Sequence, residues 1–188
     1  MTQSATQEDL VQHTLKQTWD LFKNDFVLWV VAGLVMIIVT IASLGILSGP
    51  MTVGYIQLIE RRRMGQPGSV TDIFDGFSHF GVSLIASILI GLGVFIGMFL
   101  FILPGVLFGL SMAFTFQAIA IHHEGATSAM GKSFELIKDN LALSAVFLVI
   151  VLVLSGIGGA VVFGTLVTMP FTMLLMTLAY HGLNERSA

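Results

Sequence analysis

The sequence contains no cysteine. That excludes disulfides, thiolate metal ligands and a cysteine nucleophile. Charge is scarce as well: 10% of the 188 residues are Asp, Glu, Lys or Arg, against roughly 25% in a soluble domain. So few charges cannot cover a water-soluble surface. The opening residues MTQSATQEDL carry Glu8 and Asp9 but no Lys or Arg. They lack the basic region of a cleaved secretory signal, so the first apolar run is expected to stay in the mature protein. Thr2 stands where myristoylation needs glycine. No basic tract with interleaved aromatics occurs, so no nucleic-acid partner is expected.

What is present is apolar and continuous. Charged residues are missing from Phe26 to Ile59, from Gly76 to His123 and from Asn140 to Asn184, runs of 34, 48 and 45 residues. One membrane-crossing helix takes about 20 residues, so each run is read as two helices joined by a turn. Turn residues lie inside each: Ser43, Gly45, Ser48, Gly49 and Pro50; Gly97, Pro104 and Gly105; Gly156, Gly158 and Gly159. The expected fold is all-α and integral to the membrane, with about six transmembrane helices forming three helical hairpins. The first hairpin is the shortest, and its second helix is expected to end among headgroups at Glu60 to Arg63.

A short amphipathic interfacial helix is expected before each hairpin. In the first, Val11, Leu15, Trp19 and Phe22 share a face; in the second, Val70, Phe74 and Phe77; in the third, Met130, Phe134 and Ile137. Ser69 and Asp72 have the spacing of a helix capping box. The junctions Asp20-Leu21-Phe22-Lys23, Asp72-Ile73-Phe74-Asp75 and Glu135-Leu136-Ile137-Lys138 share one pattern, and Pro50, Pro104 and Pro170 follow the acids at offsets of 30, 32 and 35. This points to a threefold internal repeat, with units 6–65, 66–125 and 126–184 inside one membrane domain spanning 1–188.

Hairpins return to the side they left, so all 19 charged residues are expected on one face. Because Lys and Arg concentrate on the cytoplasmic side, that face is read as cytoplasmic, with both termini there. Arg61, Arg62 and Arg63 anchor this orientation. Together with Lys132 and Lys138 they are the candidate contacts for lipid headgroups, at about 1 kcal/mol each.

The membrane cores hold no ionisable residue of the kind that marks ion paths. Their mild polar residues mostly bond between helices; Gln57, Ser111, Thr115, Gln117 and Thr172 are the candidate lining of a polar cavity. Small residues four apart, Gly45/Gly49, Gly93/Gly97 and Gly105/Gly109, suit close helix packing and a homo-oligomer. Adjacent His122 and His123 diverge by about 100° on a helix, so no metal site is expected. No catalytic residue, cofactor motif or nucleophile elbow is found.

SGPMTVGYIQLIERRRMGQP, with DIFDGF, ILPGVLFGL and KSFELIKDN, resembles a family of bacterial multi-spanning proteins of unknown function. It is similar to the membrane domain fused to some glycerophosphodiester phosphodiesterases and to its stand-alone relatives. The resemblance runs from about Trp19 to Gly182. It implies a six-helix inner-membrane protein in contact with phospholipid, without the catalytic domain. The expected function is non-catalytic: a membrane-organising scaffold that assembles with itself, lipid (anionic phospholipid included) or protein partners. A channel or transporter for a neutral or lipidic solute is the alternative.

Overall fold

The computed structural model describes residues 2–160 and 164–187, with the side chains of residues 2–7 and Leu103 outside that description. All the described secondary structure is helical. Helix α1 (Thr2–Asn24) bends by 88° into α2 (Phe26–Ala42), and a turn leads to α3 (Ser48–Arg63). A 3₁₀ segment (Val70–His79) runs into α4 (Phe80–Leu100), followed by α5 (Ile102–Ser111) and α6 (Thr115–His122). Helix α7 (Ala126–Asp139) leads to α8 (Leu141–Ala160) and α9 (Gly164–Ser187).

Four stretches are long and apolar enough to cross a membrane: Val70–Leu100, Pro104–His122, Leu141–Ala160 and Gly164–Ser187. A fifth results if the bent pair α1–α2 counts as one span. This is the fold of a multi-pass membrane protein. Helices α2 and α3, of 17 and 16 residues, reach only about 25 Å, short of a hydrocarbon core of about 30 Å.

The short helix α3 is the centre of the molecule. Its buried residues run from Gly49 to Glu60, and it touches α2, α4, α6, α9 and the 3₁₀ segment. Met51, Tyr55, Leu58 and Ile59 join one apolar cluster with Trp29, Ile73 and Leu174; Val53 and Ile56 join the other with Phe114, Phe147 and Tyr180. The Tyr55 hydroxyl donates to the Trp29 carbonyl at 2.9 Å, and the Trp29 indole donates to the Leu21 carbonyl at 2.9 Å. Both polar tips are thereby satisfied inside the core.

Where α3 meets the 3₁₀ segment there is no room for side chains. A Cβ on Gly54 would lie 1.7 Å from the Ile73 carbonyl oxygen, and one on Gly76 would lie 2.1 Å from that of Pro50. The chain can make this crossing only with glycine on both sides. Between α4 and α5, a Cβ on Gly97 would meet the Gly105 Cα at 2.6 Å, and one on Gly93 would meet the Phe108 ring at 2.2 Å.

Three local expectations need correction. Gly156, Gly158 and Gly159 do not form a turn: all three lie inside α8. Gly158 instead makes room for Thr168 of α9, whose Oγ1 would sit 2.0 Å from an added Cβ. Gly97 likewise lies inside α4, and the break comes at Phe101, which is extended at φ −159° and ψ 146°. Trp19 does not share the buried face of α1. It is 55% exposed, while Thr14, Thr18 and Phe22 are buried. The Thr18 hydroxyl donates to the Thr14 carbonyl at 2.8 Å, which lets that polar face pack.

The first turn is closed without outside help. Every amide from Ser43 to Ser48 donates within it or to the end of α2, including Gly45 to Thr40 O at 2.8 Å and Leu47 to Ser43 Oγ at 3.1 Å. Leu44 and Gly45 take positive φ, 53° and 85°, as in a helix-ending Schellman turn. The 3₁₀ segment starts where expected: the Asp72 carboxylate accepts from the Ser69 amide and hydroxyl, each at 2.9 Å.

Substituting Gly54→Ala or Gly76→Ala should separate α3 from the 3₁₀ segment and cost at least about 1–3 kcal/mol. Gly81→Ala, which meets nothing within 4 Å, should leave thermal stability in detergent unchanged or slightly raised. Equal melting of all three variants would contradict the crossing.

Candidate functional site at the charged face

The last turn of α3 gathers charge from across the chain. Its residues Glu60, Arg61, Arg62 and Arg63 point in successive directions, because neighbours on a helix diverge by about 100°. Each therefore finds a different partner. The Arg62 guanidinium grips both oxygens of Asp25, at the bend between α1 and α2, with Nη2 at 2.6 Å from each. Arg61 reaches Asp75 at 2.5 Å and Asp72 at 3.2 Å on the 3₁₀ segment. Arg63 pairs with Glu60 at 2.8 Å, and Glu60 also accepts from His181 Nε2 of α9 at 2.8 Å. One helical turn thus ties four segments together.

Beside it opens a polar vestibule of about 740 Å³, lined in part by Gln57, Arg61, Asp75, Ser78, His79 and His123. His79 Nε2 lies 2.8 Å from His123 Nδ1, and the two rings are nearly parallel at 12° with centroids 4.9 Å apart. One nitrogen must donate and the other accept, so at least one ring is neutral while the bond holds. His123 closes α6 in the left-handed conformation at φ 55°, one of the few side chains that tolerate it. His122 turns away and packs on Tyr180, with centroids 5.7 Å apart. No three His, Asp or Glu side chains converge as a metal site among the described residues.

The remaining candidate cations differ. Lys132 pairs with Glu124 at 3.2 Å. The Ser128 hydroxyl, then the Lys132 ammonium, holds the Glu124 carboxyl below the usual carboxylate range. Lys138 is exposed and forms no ion pair among the described residues.

The candidate cavity residues are dispersed. Gln57 lines the vestibule, with its amide 3.4 Å from His79 Nδ1. Ser111 lies on a separate apolar groove and donates to the Phe108 carbonyl at 2.7 Å. Thr172 donates to Met169 O at 2.8 Å, Thr115 Oγ1 faces the Met112 sulfur at 3.9 Å, and the Gln117 amide oxygen is buried without a partner among the described residues. The two openings share no lining residue. Of the packing glycines, Gly49 abuts Ser83 and Ser87 of α4, Gly109 abuts Val94, and Gly45 serves the first turn.

The sequence reading missed the acids opposite the arginines, the His79–His123 pair and the Gly54/Gly76 crossing. The glycines inside TVGY and DIFDGF were the one available signal.

No family model matches the chain, nor does any curated protein or solved structure.

Two outcomes test this geometry. A double-mutant cycle on Arg62→Ala and Asp25→Ala should give a coupling of about 1–2 kcal/mol in thermal or denaturant unfolding; additive effects would remove the clamp from the account. The lowered value of Glu124 means that its contribution to stability is complete above 4.5 and is lost as pH falls through the folded value. Ser128→Ala raises that folded value toward 4.5, so the variant should lose less stability on acidification than the parent. Superimposable acid melting profiles would refute this.

Proposed function

We propose that the chain is a non-catalytic inner-membrane protein, a scaffold that assembles with itself and organises lipid or protein partners. One observation carries the reading: the polar groups are turned inward to each other while the apolar surface is turned outward. The arginines of α3 bond to acids, and the core hydroxyls mostly bond their own helices. Meanwhile Phe95, Phe99, Phe101 and Ile102, where α4 ends and α5 begins, are 68%, 84%, 75% and 72% exposed. Such a surface suits lipid tails or a second copy of the chain.

In this reading the apolar helices form three hairpins, each preceded by an interfacial segment, with both termini cytoplasmic. The three units 6–65, 66–125 and 126–184 are diverged copies. Phe74, Phe77 and Phe80 support an interfacial 3₁₀ segment: they stack at 6.2 Å spacing and are 36–42% exposed. A 3₁₀ helix eclipses residues three apart, and an aromatic row of this kind sits well at the membrane–water boundary. Arg61, Arg63, Lys132 and Lys138 face the headgroups beside it. The resemblance to the membrane domain of glycerophosphodiester phosphodiesterases agrees with phospholipid contact. The separate positions of Gln57 and Ser111 give no support to a solute path.

Reconstituted in liposomes, the protein should pass small neutral solutes no faster than empty vesicles and should crosslink to itself through cysteines placed at Phe99 or Phe101. Solute flux above the empty-vesicle rate would overturn the scaffold reading. Single cysteines at Leu44, Ile102 and Ile157, probed with an impermeant maleimide on intact cells, test the hairpins: labelling from outside is expected at Ile102 and Ile157.

A further inference from the structure

Helix α5 turns its packing face to α4, and α8 turns its own to α9; α7 touches both α5 and α8. Between α5 and α8 this leaves a groove of about 460 Å³ floored by α7. Its walls include Leu107, Phe134, Leu141, Ala145, Val149 and Leu152, and among the described residues its only charged lining residue is Lys138.

The geometry points to a binding site for one anionic phospholipid, with an acyl chain in the groove and its phosphate on Lys138. The proposal rests on the lipid contact read above and names its place and ligand class. Three observations carry it. Lys138 stands where the groove meets the charged face, one residue before the end of α7. Its ammonium has no carboxylate partner among the described residues, whereas Arg61, Arg62, Arg63 and Lys132 are all paired. From Leu141 to Leu152 the α8 wall rises about 16 Å, close to half of the roughly 30 Å hydrocarbon core. The groove therefore ends where a single leaflet ends. Leu107, Phe134, Leu141, Val149 and Leu152 are 51–67% exposed, at 57%, 51%, 67%, 57% and 62%, so the walls are open sideways to lipid. The Ser111 hydroxyl is turned to the Phe108 carbonyl, which leaves the inside free of competing donors. Asp139, exposed beside Lys138, repels anions and keeps the attraction from extending along the helix, so the headgroup is held by a point contact rather than by a basic patch.

The test uses the full chain in vesicles containing phosphatidylglycerol or phosphatidylcholine that carries a diazirine in one acyl chain. After irradiation, crosslinked peptides are mapped. Phosphatidylglycerol should label α5 and α8 around Leu107, Ala145 and Val149 in preference to the rest of the apolar surface, and phosphatidylcholine should not. Lys138→Ala should reduce that labelling about fivefold, and Lys132→Ala should not. Ala145→Phe, on the open wall, should displace the chain and abolish labelling at the groove. Circular dichroism melting checks that each variant is folded. Labelling spread evenly over the outer surface, the same for both lipids and indifferent to Lys138, would mean ordinary boundary lipid and would overturn the site. That result leaves the scaffold reading standing, because scaffold and channel are separated by solute flux and not by crosslink position.

Discussion

Glycine on both sides lets α3 and the 3₁₀ segment touch backbone to backbone at Gly54 and Gly76, and the charged face takes its register from that contact. Arg61 lies seven residues beyond Gly54, two turns along α3. Asp72 and Asp75 stand four residues and one residue before Gly76 on the crossing partner. Once the glycines fix where the two axes meet, Arg61 lies between those two acids without further adjustment. A slip of one residue on α3 would rotate it by about 100° and present Glu60 or Arg62 instead. The crossing thus acts as the index mark for the ion pairs around it.

The ion pairs explain how a chain with so few charges places them. A guanidinium or carboxylate near the hydrocarbon boundary is costly when alone and tolerable when paired. Arg62–Asp25 holds the right-angled bend of α1 against the end of α3, and Glu60–His181 brings in α9. The central helix is then gripped at one end by charge and along its length by Tyr55, Leu58 and Ile59. Its other end, at the self-bonded turn of Ser43 to Ser48, is held by nothing polar outside itself among the described residues.

Local information was legible in the sequence, and pairings between distant segments were not. The charge-free runs announced apolar helices, Ser69 and Asp72 announced the start of the 3₁₀ segment, and Ser43 with Gly45 announced the first turn. Each depends on neighbours a few residues away. Gly156, Gly158 and Gly159 misled because glycine serves both turns and close helix approach; only the position of Thr168 on α9 decides between them. Trp19 misled because its spacing fits the apolar face of α1, yet α9 and Phe22 take the neighbouring side. The partners of Arg61 and Arg62 lie 14 and 37 residues away, and no period in the sequence links them. The candidate cavity residues share a polarity but not a place, and the two that line openings, Gln57 and Ser111, line separate ones.

The shortness of α2 also sets how the molecule meets its bilayer. At 17 residues it offers about 25 Å of apolar height, while α8, at 20 residues, offers about 30 Å. A bilayer wrapped around this protein meets a low flank and a high flank. It must thin on one side and relax on the other, at a fraction of a kcal/mol per ångström of mismatch. The protein carries a built-in slope across its own width.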